Sequence, residues 1–474
     1  MNGLAQCNQL RGYNSSLFII NHSSFHFMKT QNHIPTTKVA RASQFVKAGV
    51  KVGGNYLKHY GKKLLDPDLT REELHQDNAT DIYKALSELK GSALKMAQML
   101  SMDRSILPRA YIDQFAMSQY SAPPLSGPLV VKLFRTYFGK TPPQIYDQFD
   151  MNAVNAASIG QVHQAWKAGK KLAVKVQYPG VADSVSSDLR IAKPLAIRLL
   201  NLNEKDINRY MGEVESKLLE ETDYELELNR SIYISEQCAS IPNLVFPKYY
   251  PELSSKRILT MDWLDGFHLK DFLKTNPSQE IRDRIGQALW DFYNFQIHDL
   301  RQVHADPHPG NFLMQPDGTM GVIDFGCVKV IPDFFYDNYF RLINFDTLDD
   351  DRATMGIFRN LEFIVPEDSP KEQAFFADLF KKMIVLLGKP FATQTFDFGD
   401  NTYFDTVYAF AEELANVEEL KNSKVARGSQ HGLYINRTYF GLYSMLNELK
   451  ANVVTNKPDW LVSKKLRQQM QKAG

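Results

Sequence analysis

The stretch His304-Ala305-Asp306-Pro307-His308-Pro309-Gly310-Asn311 combines residue types at a spacing that could support phosphoryl transfer. An aspartate followed five positions later by an asparagine is the spacing of a kinase catalytic loop. In such a loop the aspartate orients a hydroxyl nucleophile and accepts its proton, and the asparagine side-chain oxygen binds Mg²⁺. The sequence therefore predicts Asp306 as a catalytic residue and Asn311 as a magnesium ligand.

A second carboxylate for magnesium follows in Asp324-Phe325-Gly326. The apolar run 320–323 leads into it and predicts a short strand. The same triplet recurs at Asp397-Phe398-Gly399 with no catalytic loop before it, so we expect that copy to be an ordinary loop. The order and separation of the catalytic loop and the first triplet, more than the triplet itself, predict Asp324 as a magnesium ligand.

A lysine on an apolar strand predicts the phosphate-binding group. Lys175 is flanked by valines in a strand predicted over 172–176. A buried lysine is costly unless its charge is paired, and this one matches the kinase lysine that holds the α- and β-phosphates. One carboxylate of the acidic helical stretch predicted over 206–236 should neutralise it.

Two further segments are predicted to contact the nucleotide. Ala156-Ala157-Ser158-Ile159-Gly160 stands where a kinase carries its glycine-rich loop, and only Gly160 retains the close backbone approach that glycine allows. Met261-Asp262-Trp263-Leu264-Asp265-Gly266 follows a predicted strand and is expected to be a hinge between lobes. Its backbone groups, with Met261 and Trp263 as the binding residues, would then meet an edge of the adenine.

The composition is that of a globular protein. The chain has 474 residues, 44% hydrophobic and 23% charged, which is enough for two or three domains. A net charge of +1 gives no overall field for nucleic acid, so no nucleic-acid partner is expected. The three cysteines form no C-x-x-C pair, which argues against a zinc site or a disulfide framework. No apolar run reaches about 18 residues, so no transmembrane helix is expected.

The N-terminal segment leaves two interpretations open. No acidic residue occurs before Asp66, as in organellar transit peptides. Alternatively, translation begins at Met28, which we favour because Arg11 is the single basic residue before Lys29. A cytoplasmic location follows from the second interpretation, and a mitochondrial location follows if residues 1–27 are a transit peptide.

A basic amphipathic helix is predicted over 39–64. Its lysines fall within a sector of roughly 60°, with apolar residues on the opposite side. Such a helix can lie on an anionic membrane surface, and the alternative is a solvated face packed on the protein's own body. The lysines are Lys47, Lys51, Lys58 and Lys62, and the apolar residues are Val46, Val50, Leu57 and Leu64.

Further helices are predicted before and after the strands. A helix over 78–101 carries Lys95 and Gln98, three positions apart on one face, where general considerations make them surface residues. The other predicted helices lie at about 129–138, 279–300, 334–346, 370–387, 402–415 and 433–452.

These residues resemble the UbiB/AarF family of atypical protein-kinase-like proteins, which is linked to quinone-lipid biosynthesis. The resemblance extends from about Val39 to about Val454. It rests on three motifs, which are Ala156–His163, Val174–Gly180 and His304–Asn311.

The resemblance implies a fold and a regulated site. The fold would be a two-lobed, kinase-like α+β fold with an N-terminal helical extension. In the family a Lys-x-Gly-Gln motif covers the active site and blocks a protein substrate, and here it is Lys95-Met96-Ala97-Gln98, with alanine in place of glycine. Glu221 and Asp223 match the family's Glu-x-Asp motif, which contacts that helix, and Glu227 matches the glutamate that pairs with Lys175.

The predicted function is magnesium-dependent ATP hydrolysis, or phosphoryl transfer to a small molecule or lipid, in support of quinone biosynthesis. ATP or ADP and Mg²⁺ are the implied cofactors. An anionic membrane or isoprenoid lipid and quinone-biosynthesis proteins are the implied partners. A protein kinase and a non-catalytic, nucleotide-gated lipid-binding scaffold are the alternatives. The intact Asp306, Asn311 and Asp324 argue against the scaffold, and the short segment 327–332 offers no loop for docking a peptide.

The predicted domains divide the chain into five parts: 1–27 as a start-site extension or targeting segment, 28–76 as a basic segment, 77–140 as the helical extension, 141–266 as the sheet-containing lobe and 267–474 as the helical lobe.

Overall fold

A four-stranded antiparallel sheet consists of β1 (Gln148–Ala156), β2 (Gly160–Lys167), β3 (Lys170–Gln177) and β5 (Ile258–Asp262), which are neighbours in that order. The computed structural model describes residues 38–63, 72–89, 95, 124–156, 159–200, 204–417, 419, 427–456 and 458.

Successive side chains of β3 point to opposite faces of the sheet and therefore lie in two environments. Leu172, Val174 and Val176 are buried in one apolar cluster with α3 (Gly127–Phe138). Ala173 belongs to a second cluster with Tyr224 on the other face. Because strand side chains alternate, Lys175 shares the face of Ala173. The strand therefore places this lysine next to the acidic helix.

The helices that precede and flank the sheet include the predicted basic helix. They are α1 (Lys38–Lys63), α2 (Glu72–Leu89), α3, α4 (Pro142–Ile145), α5 (Val181–Leu200), α6 (Glu204–Glu221) and α7 (Tyr224–Gln237). Helix α1 packs against α2 and α5, and a buried ion pair between Arg41 and Asp188, at 2.5 Å, fixes it to α5. Among the described residues, no helix is long and apolar enough to cross a membrane. Segment 1–27 and Leu64 lie outside the described residues.

The helical stretch predicted over 206–236 consists of two helices. Helix α6 ends at Glu221, and Asp223 begins the next helix as its N-cap. The Asp223 carboxylate accepts hydrogen bonds from the backbone N–H groups of Glu225 and Leu226, which the first turn leaves without helical partners. The break allows Glu221 and Glu227 to face different parts of the site.

The rest of the chain is a helical lobe around one aromatic core that includes Trp290, Phe292 and Phe312. Its helices are α8 (Leu269–Lys274), α9 (Gln279–Phe295), α10 (Asp333–Arg341), α11 (Phe345–Leu348), α12 (Asp351–Asn360), α13 (Pro370–Leu387), α14 (Asn401–Asn416) and α15 (Gln430–Leu449). Its short strands, together with β4 (Leu244–Val245), are β6 (Gln302–His304), β7 (Phe312–Met314), β8 (Met320–Val322), β9 (Val328–Val330), β10 (Thr395–Asp397) and β11 (Asn452–Val454).

The two Asp-Phe-Gly triplets occupy different surroundings. The second copy follows β10, and its Phe398 is fully buried in the helical core. After the first copy, β9 pairs with β6 and α10 begins at Asp333. The chain therefore passes from the first triplet into a helix without a long activation segment, as predicted.

Candidate active site

Lys175 lies between two carboxylates that come from distant parts of the chain. Its Nζ is 2.6 Å from Glu227 Oε1 on α7 and 2.9 Å from Asp324 Oδ2 after β8. Burial opposes the lysine charge, but Asp324 and Glu227 outweigh it and raise the pKa of Lys175 well above its usual value. The lysine is thus held charged and in place.

The pKa values of the two carboxylates that contact Lys175 are shifted in opposite directions. Burial raises the pKa of Glu227 to about 7, against the opposing effect of Lys175. Burial also acts on Asp324, but Lys175 and the backbone N–H of Gly326 hold its pKa below the usual value. That N–H donates to Asp324 Oδ1 at 2.8 Å. Asp324 is therefore ionised and oriented, as a metal ligand must be.

Asp306 is held between two cations. Its Oδ1 accepts a hydrogen bond from Arg437 of α15 at 2.6 Å, and its Oδ2 is 3.7 Å from Lys95 Nζ. Burial opposes the negative charge, but Lys95 and Arg437 outweigh it and keep the pKa of Asp306 far below its usual value. Asp306 therefore remains a carboxylate throughout the neutral range.

The predicted magnesium residues lie at one end of a hairpin. Phe312 pairs with Val322, so Asn311 precedes one strand where Asp324 follows the other. The backbone N–H of Ile323 donates to the Asn311 carbonyl at 3.1 Å, which closes this end. The Asn311 side-chain Nδ2 donates to the Asp306 carbonyl at 2.9 Å. This bond uses the amide nitrogen, so the amide oxygen is the atom that suits a metal.

These residues fit Mg²⁺ in a nucleotide complex. Magnesium prefers oxygen ligands, and it is typically bound by one or two carboxylates together with substrate phosphates. Asp324 and Asn311 supply two such oxygens. The described residues include no cluster of three or more His, Cys, Asp or Glu that would hold a metal by themselves. Phosphate oxygens would complete the coordination.

Lys95 links the N-terminal extension to the site. Its Nζ is 3.0 Å from Glu221 Oε1, and with Asp306 this glutamate raises the lysine pKa despite burial. Burial raises the pKa of Glu221. Asp223, predicted to contact the same helix, caps α7. Gln98 and Ala97 lie outside the described residues. The structure thus brings Lys95 and Glu221 together with Asp306.

The predicted phosphate loop is described in part. A Cβ at Gly160 would lie 2.7 Å from the Tyr224 hydroxyl oxygen and 2.8 Å from the Val176 carbonyl, so this position requires glycine. Ile159 is buried, and Ala156 pairs with Gln161 at the end of β1. Ala157 and Ser158 lie outside the described residues.

The predicted hinge follows β5 directly. Met261 is buried on that strand and pairs with Ala173. The backbone N–H of Trp263 donates to the Lys171 carbonyl at 3.0 Å, and its indole N–H donates to Asp265. The Lys171 ammonium lies 4.3 Å from the centre of the indole ring. Trp263 is therefore anchored to β3 directly after the end of β5.

Arg437 was not predicted from the sequence. It lies 131 residues after its partner Asp306 and belongs to no short motif. Gly441, one turn later on the same helix, packs against Pro307 of the catalytic loop. In the sequence this contact leaves only a weak signal, which is an arginine and a glycine four positions apart on one helix.

The arrangement defines a kinase-like nucleotide site, and comparison with known proteins agrees. Residues 117–356 match the ABC1 atypical kinase-like domain. A probable serine/threonine-protein kinase, abkA of Dictyostelium discoideum, is 25% identical over 90% of this chain and 79% of that protein. The mitochondrial atypical kinase COQ8 of Saccharomyces cerevisiae is 24% identical over 89% of this chain and 83% of that protein.

A solved structure shares the fold. A Mycobacterium tuberculosis protein in complex with erythromycin has a TM-score of 0.54 and 24% identity, over 81% of this chain and 95% of that chain. The chain belongs to the ABC1 atypical kinase-like family, that is, the UbiB family. The predicted family and the predicted kinase-like α+β fold are both confirmed.

Proposed function

We propose that this chain binds ATP or ADP with Mg²⁺ and catalyses ATP hydrolysis, or phosphoryl transfer to a small molecule or lipid. The observation that carries the proposal is the ion-paired set of Lys175, Glu227 and Asp324. A buried lysine held between two carboxylates, one of them beside a catalytic loop, is the arrangement that binds phosphates and metal in kinases. Its members come from three separate elements, so chance proximity is a poor explanation.

Each residue then has a physical task. Lys175 neutralises phosphate charge, and Glu227 holds it in position. Asp324 and Asn311 hold Mg²⁺, which neutralises phosphate charge when bound. Asp306 orients the hydroxyl or water nucleophile and accepts its proton. The Arg437 hydrogen bond fixes one Asp306 oxygen, so the other faces Lys95 and the nucleophile's position.

The Lys95 ion pairs favour a small acceptor over a protein. Lys95 is close to Asp306, the group that a kinase offers to its substrate hydroxyl. A long side chain at that position restricts access to the catalytic carboxylate. This contact favours hydrolysis or a small acceptor over a protein kinase. The ionised Asp306 and Asp324 favour catalysis over a scaffold, which would not require them.

Quinone-lipid biosynthesis is the process proposed for this activity. The yeast relative is named a mitochondrial atypical kinase, and we infer a mitochondrial location in preference to the cytoplasmic one. There the lysines of α1 would contact an anionic membrane. An isoprenoid lipid or quinone-biosynthesis proteins would be the further partners of the chain.

The metal residue can be tested with its own duplicate as a control. Asp324→Asn should abolish magnesium-dependent stabilisation by ATP or ADP in thermal unfolding, while the variant remains folded. Asp397→Asn changes the same triplet where it caps a loop, and it should leave nucleotide stabilisation intact. Stabilisation of Asp324→Asn equal to that of the parent would remove the assignment.

A further inference from the structure

His268 lies on the segment that leads from the predicted hinge, 261–266, into the helical lobe. The backbone of the preceding Phe267 exchanges two hydrogen bonds with Met314 of β7, at 2.9 and 2.8 Å, so this segment runs beside that strand. The His268 side chain is exposed, and it makes no capping hydrogen bond to α8, which begins at the next residue. Its orientation is therefore set by another element.

The ring of His268 is oriented by the backbone of β7. Its Nδ1 lies 3.1 Å from the Phe312 carbonyl oxygen. A carbonyl oxygen can only accept a hydrogen bond, so Nδ1 carries the hydrogen, and Nε2 of the neutral ring is then an acceptor. The outer edge of this exposed ring therefore offers one hydrogen-bond acceptor in a fixed position.

Strand β7 relates this acceptor to both ends of the proposed nucleotide site. Asn311 and Leu313 flank the residue whose carbonyl holds the His268 ring. Asn311 belongs to the metal end of the site. Leu313 belongs to the hinge end, because a Cβ at Gly321 would lie 3.7 Å from Leu313 Cβ and 3.0 Å from Cδ1 of the hinge residue Leu264. His268 thus lies between the two ends, where the ribose of a nucleotide joins the base to the phosphates.

We propose that His268 Nε2 accepts a hydrogen bond from a ribose hydroxyl, so that the site selects ribonucleotides over deoxyribonucleotides. This inference rests on the proposed nucleotide function and names a specificity residue for it. Ionised phosphate oxygens only accept hydrogen bonds, and the adenine amino group would meet the hinge backbone. The ribose hydroxyls are the donors that remain for an acceptor at this position.

The contact is tested by titrating the full chain with ADP, 2′-deoxy-ADP and 3′-deoxy-ADP, each with magnesium. The parent should bind at least one deoxy analogue about three- to tenfold more weakly than ADP, which is the effect of one neutral hydrogen bond. His268→Phe keeps a ring of similar size and has no acceptor. It should lower the affinity for ADP to that of the weaker analogue, and leave the affinity for that analogue unchanged.

Two further variants complete the comparison. His268→Ala removes the exposed ring altogether, and it should lose the same discrimination even if the phenylalanine ring disturbs its surroundings. Lys270→Ala changes an exposed side chain of α8, and it should discriminate as the parent does. Thermal unfolding checks that each variant is folded. Loss of discrimination in Lys270→Ala as well would overturn the contact, since the effect would then come from the helix in general.

The remaining outcomes separate this contact from the proposed function. Equal affinity of the parent for all three nucleotides would overturn the contact, and so would a folded His268→Phe or His268→Ala protein that discriminates as the parent does. Nucleotide binding persists in both cases, so the proposed function would stand. A parent that binds none of the three nucleotides would refute the proposed function, and the contact with it.

Discussion

Lys95 places one positive charge beside two carboxylates, Asp306 and Glu221. Sequence periodicity alone made it a surface residue, and the family resemblance moved it to the site. The structure places its ammonium 3.0 Å from Glu221, so the interpretation that it is an ordinary surface lysine does not hold. The sequence of one helix cannot show which carboxylates contact Lys95, because those carboxylates lie more than 100 residues away along the chain.

Removing Lys95 should affect both stability and nucleotide binding. Lys95→Ala leaves the buried Glu221 carboxylate without its cation and leaves Asp306 with Arg437 alone, which costs about 3–5 kcal/mol of unfolding free energy. Those negative charges also repel phosphate, so ADP affinity should fall about tenfold. Isothermal titration and chemical denaturation measure both effects.

Lys84→Ala is the control for Lys95→Ala, since Lys84 is exposed on α2. It should match the parent in both measurements. Lys95→Arg keeps the charge and should recover most of the stability. A Lys95→Ala protein that behaved like Lys84→Ala would make the Lys95 ion pairs energetically irrelevant.

Glu227 is expected to make magnesium–nucleotide binding depend on pH. Burial raises its pKa to about 7, and the negative charge of Asp324 adds to that effect while Lys175 opposes it. A magnesium ion on Asp324 offsets that negative charge and lowers the Glu227 pKa, so binding releases a proton. Affinity should therefore rise with pH up to about 7 and level off above it.

The pH dependence is measured by titrating ADP and magnesium between about pH 5.5 and 8.5. Glu227→Gln removes the titrating group, so its affinity should be weaker but much less dependent on pH. A parent whose affinity is flat across this range would show that Glu227 does not change protonation on binding.

At the scale of elements, helices with clear apolar periodicity could be predicted closely. The helices predicted over 370–387 and 402–415 are found at Pro370–Leu387 and Asn401–Asn416. Helix α5 was not predicted, and Pro194 lies within it. The paired strands β6 and β9 have three residues each, which is too short for alternation to be recognised. Pro194, which normally interrupts a helical pattern, accounts for the first omission. Non-local pairing, which periodicity does not encode, accounts for the second.

The site residues divide in the same way, into those that local spacing predicts and those that it does not. Residues within a motif, such as Asp306 and Asn311, could be predicted because kinase-like spacing is local. The partner of Lys175 was predicted through the resemblance, and the structure places Glu227 there. Arg437 escaped prediction because an ion pair between a loop and a distant helix leaves no spacing to detect.

The contact between α15 and the catalytic loop predicts a position-specific effect of alanine. Gly441→Ala places a methyl group against Pro307 Cγ, 2.6 Å from Pro307 Cβ and 2.8 Å from its carbonyl oxygen. The helix or the loop must shift, at a cost of about 1–3 kcal/mol. Because Arg437 moves with the helix, nucleotide turnover should also fall.

Gly432→Ala is the matched control on the same helix. Its Cβ would meet no atom closer than 3.9 Å, and alanine favours a helix over glycine by about 1 kcal/mol. This variant should be as stable as the parent or more stable. Thermal unfolding and ATP turnover separate the two substitutions, and similar behaviour of both would show that the loop contact is not tight.

At the scale of the whole molecule, α1 presents three faces. Arg41, Val52 and His59 are buried against the protein. Val46 and Val50 are 65% and 70% exposed, so the apolar stripe seen in the sequence is not the one that packs on the body. The four lysines are also exposed. The packed and exposed apolar faces could not be distinguished by periodicity, because both fall on the same helix.

An exposed apolar stripe beside exposed lysines is suited to an anionic membrane. Each basic residue near such a surface contributes about 1 kcal/mol, and Lys51 contributes less because Asp81 lies 3.9 Å away. Substitution is a cleaner test than deletion of α1, since deletion would expose the buried Asp188. Changing Lys47, Lys51, Lys58 and Lys62 to glutamine should therefore reduce binding to phosphatidylserine or cardiolipin vesicles about a hundredfold.

The control is a set of four exposed lysines elsewhere, namely Lys274, Lys371, Lys382 and Lys389. It removes the same net charge, so a general electrostatic effect would weaken vesicle binding equally in both variants. If the α1 lysines form a specific membrane-binding face, only the α1 variant should lose vesicle binding. The control should keep its vesicle binding, and that binding should fall as salt rises, because screening weakens exposed charges. Val46→Ser with Val50→Ser should weaken binding further without changing its salt dependence. Co-sedimentation that is equal in parent and α1 variant would show that these lysines are only solvated.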